Sequence, residues 1–147
     1  MTETDEIKKV LNETAIFAGI SDAPLTAIAE VAESRSCEHD EMLYEHGDKA
    51  IDVYVLVSGT VRFAFGNRTG TLSSGTVMHS RMIFGWAALV PEHPKRLGSA
   101  QCIETSKIIL LPGDPVRDIL RKYPVDGFRV MERLCGMIAR NFMEQHD

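Results

Sequence analysis

The chain has 147 residues, 44% of them hydrophobic and 25% charged, which is ordinary globular material and long enough to bury one good core. A formal net charge of −5 argues against a broad nucleic-acid footprint, which needs a basic face or tail, although a local basic cluster stays possible. The acidic opening MTETDEIKKV lacks the apolar centre of a signal peptide and no apolar run approaches bilayer length, so a soluble, cytoplasmic protein without membrane contact is expected. Cys37, Cys102 and Cys135 are odd in number, far apart and in no CxxC pair. Neither a disulfide framework nor a zinc site is expected, and a reducing cytosol fits best.

In chain order, Thr4-Asp5 followed by Ile7, Val10 and Leu11 predicts a short capped amphipathic helix. After IFAGI, Ser21 or Asp22 caps a second helix with Pro24 in its first turn, Leu25, Ile28, Ala29, Val31 and Ala32 on its buried face, and an end near Ser34. From Cys37 to Leu111 the period shortens to β-type runs: Met42–Tyr44, Val53–Val57, Thr60–Phe65, Gly70–Leu72, Met82–Phe84, Ser99–Cys102 and Lys107–Leu111. So many short strands predict a sandwich or jelly roll. Gly47-Asp48 and Gly59 fall in turns, and Gly66-Asn67 reads as a hairpin tip.

Asp114-Pro115 opens a helix through Ile119 and Leu120, and Pro124 separates it from a longer one. In that last helix Phe128, Met131, Cys135, Ile138 and Phe142 alternate steps of three and four, the spacing of a coiled-coil seam. Val130, Leu134 and Met137 form a second apolar stripe. Two stripes predict that one docks on the β structure while the other meets a second copy, the alternative being one broad face packed in cis.

The stretch with the most chemical content is Phe84 to Ala100, FGWAALVPEHPKRLGSA. Phe84-Gly85 closes a strand, Ala87-Ala88-Leu89 opens a helical turn, and Arg96 follows a loop holding Pro91 and Pro94. Glycine lets a ligand approach the main chain, a helix start offers free N–H groups to an anion, and arginine supplies a fork of donors. At this spacing the stretch resembles the phosphate-binding cassette of the cyclic nucleotide-binding domain, the sensor module of catabolite-activator and FNR-type regulators and of cyclic-nucleotide-dependent kinases and channels. IFAGI is similar to the family's LFxGL, EHGDKA to its xxGDxA turn, and VLVSGTV to its IxxGxV turn. The likeness therefore runs over nearly the whole chain. It implies a mainly β, double-stranded β-helix (jelly-roll-like) domain over residues 1–147, with N-terminal helices at 1–35, a β-roll at 36–112 holding the cassette at 84–100, and C-terminal helices at 113–147.

The resemblance implies a ligand site at Phe84, Gly85, Trp86, the amides of Ala87 and Ala88, Arg96 at the phosphate, and Ser99 as a further hydroxyl, with a cyclic nucleotide or another small anion as ligand. A homodimer through the last helix and a downstream protein partner are implied as well. Direct DNA binding is not expected, since a helix-turn-helix reader needs roughly sixty more residues. One position departs from the pattern. Where cassettes that bind cAMP have a glutamate for the ribose 2′-hydroxyl, this chain has Trp86, whose indole offers a donor and an apolar face but no acceptor. That face either stacks on a base or fills the pocket, so a ligand sensor and a ligand-free dimerisation or interaction scaffold both stay open. Leu97-Gly98 also replaces the small polar pair that usually follows the arginine. His39, His46, His79, His93 and His146 are scattered without zinc spacing, and no GxSxG or P-loop is readable, so an enzyme is not expected. By analogy with gas-sensing relatives, haem on His79 or Cys102 is an outside alternative.

Overall fold

The computed structural model describes residues 1–66, 75–92 and 95–146, with the main chain alone for 144–146. Two helices, α1 (Glu3–Leu11) and α2 (Asp22–Val31), come first. Thr2, not Thr4, caps α1: its hydroxyl accepts from the Asp5 amide at 3.1 Å and the Asp5 carboxylate accepts from the Thr2 amide at 3.1 Å. Ile7, Val10 and Leu11 are buried as the spacing predicts, and Lys8 Nζ reaches Asp22 Oδ1 at 2.6 Å to tie the two helices together.

Among the described residues eight strands follow: β1 (Glu33–Cys37), β2 (Met42–Tyr44), β3 (Asp52–Ser58), β4 (Val61–Phe65), β5 (Thr76–Met78), β6 (Ile83–Phe84), β7 (Gly98–Cys102) and β8 (Ser106–Pro112). They form two antiparallel sheets, ordered β1-β8-β3-β6 and β2-β7-β4-β5. The unbroken apolar runs of β3 and β8 have a direct cause. The first sheet is covered on both faces, so successive side chains point into two different cores. Val53, Val55, Ile109 and Leu111 face the helices, whereas Tyr54, Leu56, Ile108 and Leu110 face the second sheet. The expected jelly-roll-like β architecture with flanking helices is what the chain adopts.

Two strands were not expected. β1, with sequence ESRSC, pairs only with β8 at the edge of its sheet, and its polar residues hide the strand from an apolar-run criterion. β5 lies where turn residues dominate the sequence, while the expected strand Gly70–Leu72 and Asn67 of the expected hairpin tip lie outside the described residues.

The cysteine reading is corrected. Cys37 at the end of β1 and Cys102 at the end of β7 are joined in a disulfide, with Cα atoms 6.7 Å apart and both residues 0% exposed. The bond staples one sheet to the other across 65 residues of sequence, a proximity that linear spacing does not report. It removes the cysteine-based argument for a reducing compartment, and it takes Cys102 away from any haem. Cys135 is free and exposed.

The chain closes with α3 (Gly113–Lys122) and α4 (Pro124–His146), the latter opened by Pro124, where a missing N–H costs nothing. Val130 and Leu134 of α4 are buried in the helix-side core, and Met131, Met137 and Ile138 lean against it half-buried. Arg133 Nη1 donates to the carbonyl of Ala18 at 2.6 Å and Asp126 Oδ1 accepts from the Ser21 amide at 3.3 Å, so the IFAGI segment anchors the first half of this helix. On its other side Phe128 is 71% and Phe142 64% exposed, with Cys135 exposed between them. Among the described residues no helix is long and apolar enough to cross a membrane.

Candidate functional site

The site is built where β6 ends. Gly85 has φ +74°, the left-handed region that side-chain-bearing residues rarely adopt, and it turns the chain into a short 3-10 helix over Trp86–Leu89. A Cβ here would sit 2.8 Å from Tyr54 Cδ2 and 3.1 Å from Arg96 Nη1, so both dihedral and space require glycine. The Ala88 amide donates to the Gly85 carbonyl at 3.3 Å and the Val90 amide to Ala87 at 3.0 Å.

Arg96 is brought back to this turn by main-chain bonds. Its amide donates to Asp48 O at 2.8 Å and its carbonyl accepts from Gly47 N at 3.0 Å, so the EHGDKA turn positions it. The side chain is 4% exposed. Nη1 donates to Gly85 O at 2.8 Å, Nη2 to Asp52 O at 2.6 Å, and the guanidinium lies 4.1 Å above the centre of the Tyr44 ring. Its Nε is buried and has no hydrogen-bond partner among the described residues. No salt bridge to Arg96 exists among them either, so carbonyl dipoles and a ring face hold the cation.

Arg96 forms part of the wall of a recess together with Phe84, Gly85, Trp86 and Ala87. The sequence reading missed the remaining wall. Tyr44, Phe63, Phe65, Met78 and Ile83 come from four strands of both sheets, Leu97 follows the arginine, and Asn141 arrives from α4. Their rings form a connected set: Tyr54 stacks on Phe84 at 5.1 Å, Tyr44 is 5.7 Å from Tyr54, and Phe63 meets Phe65 edge-on at 4.7 Å. The space enclosed is about 20 Å³, room for roughly one water molecule. An excess of aromatics in β-type runs was the only available signal, and it does not say which faces converge.

The environment shifts three groups. Burial pushes the Tyr44 hydroxyl far above its ordinary value, with Arg96 opposing, so it stays protonated throughout the physiological range. Burial likewise raises the Tyr54 hydroxyl and the Asp52 carboxyl, each partly offset by Arg96.

Two of the expected residues lie elsewhere. Ala88 faces a second cavity with Lys49, Pro112 and Arg117, and its carbonyl accepts from Arg117 Nη1 at 2.5 Å. Ser99 is buried on β7, where its hydroxyl accepts from the His46 amide at 3.0 Å and braces the same turn that holds Arg96. His79 is exposed between β5 and β6.

The family model for the cyclic nucleotide-binding domain matches residues 34–123, which run from β1 to the end of α3 and enclose the whole recess except Asn141. The chain belongs to the cyclic nucleotide-binding domain family. Solved structures share its fold. One, from Geobacter metallireducens and described as a cyclic nucleotide-binding protein, is 18% identical with a TM-score of 0.78, covering 97% of this chain and 99% of its own. The sensor domain of the transcriptional regulator DNR from Pseudomonas aeruginosa is 17% identical with a TM-score of 0.79, covering 98% and 96%. The regulatory domain of Toxoplasma gondii PKA, crystallised with cAMP, is 17% identical with a TM-score of 0.69; the match covers 79% of this chain and 44% of that one. At these identities the likeness is one of fold. Among curated proteins no relative matches. In this cyclic nucleotide-binding domain the cassette glycine and arginine are in contact, and the position directly after the glycine is a half-buried indole.

Proposed function

We propose that this domain is a regulatory sensor that takes a small anionic ligand, a cyclic nucleotide or another small anion, beside Arg96 and reports its presence through α4. The observation that carries the reading is the state of Arg96. A cation 4% exposed, without a carboxylate partner among the described residues and with an orphaned Nε, lies on the wall of a recess that Asn141 of α4 helps to close. Burying a charge without a counter-charge is costly, and an anion in the recess offsets that cost. Because α4 supplies Asn141 and also exposes Phe128, Cys135 and Phe142, a ligand that displaces the wall shifts the surface through which two copies pair. The role is binding and signalling without catalysis.

Trp86 supplies no acceptor for a ribose hydroxyl, so cAMP is expected to bind more weakly than micromolar. The test is thermal unfolding in the presence of cyclic mono- and dinucleotides and a panel of small anions. A ligand at a hundred times its dissociation constant adds about 2.7 kcal/mol of apparent stability. Failure of every compound at millimolar concentration would favour the scaffold reading, in which the domain pairs without a small molecule.

A further inference from the structure

We infer that the recess is matched to an aromatic monocarboxylate, a single planar ring carrying one negative charge, and not to a ribose phosphate. The inference rests on the reading of the recess as a ligand site and names the chemistry that site accepts. Among the described residues its wall carries one charge, Arg96, and no carboxylate, and its side-chain oxygen acceptors are the Tyr44 hydroxyl and the Asn141 amide. Apart from the indole N–H of Trp86, the other side chains of the wall are apolar, with rings predominating. A sugar buried here leaves hydroxyls short of acceptors, whereas a ring finds faces and edges to pack on.

The donor pattern points the same way. A guanidinium has five N–H groups. In Arg96 one on Nη1 and one on Nη2 are committed to the carbonyls of Gly85 and Asp52, while Nε is buried without a partner. A carboxylate takes two parallel N–H groups from a guanidinium, and three of the five N–H groups of Arg96 are not committed to either carbonyl.

Size selects one ring. The enclosed space of about 20 Å³ admits no ligand larger than a water as it stands, so entry requires something to leave. Tyr44 and Phe84 are buried on strands, whereas Trp86 is half-buried on a four-residue turn and packs against the helix-side core. Swinging out the indole gives up that packing, which the ring of a ligand replaces in part, and it needs no change in either sheet. A nucleotide needs the base, the sugar and the phosphate accommodated together, which this exchange does not provide.

Trp86 is the chain's one tryptophan, so its emission reads the site directly. Benzoate, phenylacetate and indole-3-acetate are titrated against the full chain, with benzamide as the uncharged analogue and cAMP and inorganic phosphate as the alternative anions. Emission reports on the first two and the analogues, and calorimetry on all. At least one carboxylate should saturate, with benzamide, cAMP and phosphate each at least tenfold weaker. Trp86→Ala, which removes a half-buried side chain, should bind the same carboxylate at least threefold more tightly by calorimetry. Saturation by cAMP or phosphate at lower concentration than any of the carboxylates overturns the inference while leaving a sensor of small anions intact. Absence of carboxylate binding to both proteins also overturns it, and absence of binding by every compound removes the ligand-site reading along with it.

Discussion

The guanidinium of Arg96 donates to the carbonyl oxygen of Gly85 at 2.8 Å, so two cassette residues eleven positions apart are tied directly to each other. The same carbonyl accepts from the Ala88 amide, which makes Gly85 the joint at which the turn and the arginine are held together. Arg96 is therefore part of the fold as well as of the recess.

Arg96→Met should accordingly lose stability even without ligand. It removes the charged donor from the carbonyls of Gly85 and Asp52, leaving the first with the Ala88 amide alone, and hydrogen bonds from a charged donor contribute about 1.5–3 kcal/mol each, so a net loss of about 2–4 kcal/mol is expected after relief of the buried charge. Urea unfolding measures it. A change below about 1 kcal/mol would mean that water replaces the guanidinium without cost.

Reduction of Cys37–Cys102 should destabilise the β-roll. Chain-entropy arguments for a closed loop of 65 residues give about 4 kcal/mol, and measured disulfides fall mostly between about 2 and 4. Thiol titration of the unfolded, unreduced chain should find one free thiol, Cys135, and three after reduction. Finding three before reduction would exclude the bond, and the melting temperature of the Cys37→Ala, Cys102→Ala double variant would then match that of the wild type within the cost of the lost sulfur packing.

Asp52 gives a pH dependence of defined sign. Burial, the larger effect, raises its carboxyl above the ordinary 3.8 despite the attraction of Arg96. The folded state thus holds the proton more tightly than the unfolded chain. Its contribution to stability is complete below pH 3.8 and is lost as pH rises through the folded-state value. Asp52→Asn should melt above wild type at pH 7, with the gap closing as the pH is lowered below that of an ordinary aspartate. The main-chain carbonyl that receives Arg96 is unchanged by the substitution. Wild type being the more stable at pH 7 would show that attraction to Arg96 outweighs burial.

Association through α4 is tested at its exposed positions. Phe128→Glu and Phe142→Glu alter side chains that are 71% and 64% exposed, so the monomer should keep its melting temperature while sedimentation shifts from dimer to monomer. Ile138→Asp is a different experiment, because Ile138 leans on the chain's own core and its loss destabilises the protomer too. A wild-type chain sedimenting as a clean monomer at micromolar concentration would mean that the stripe holding Phe128, Cys135 and Phe142 takes no second copy.

Residue order by itself was enough for what is local. The glycine turns, the apolar runs of β3, β4 and β8, the break at Pro124, and the step from Gly85 to Arg96 all follow from main-chain preferences and periodicity over a few residues. They carried the expectation of a sandwich or jelly roll, and resemblance to the family carried the cassette. What the order of residues did not contain is which distant side chains meet, because that is decided by sheet order and register. Closing β1 and β7 into facing sheets put Cys37 on Cys102. The same closure set Tyr44 beneath Arg96 and brought Asn141 over a wall assembled from both sheets. The partners of Arg96 were hidden for a further reason: they are backbone carbonyls, of Gly85 and Asp52, and every residue of a chain carries one.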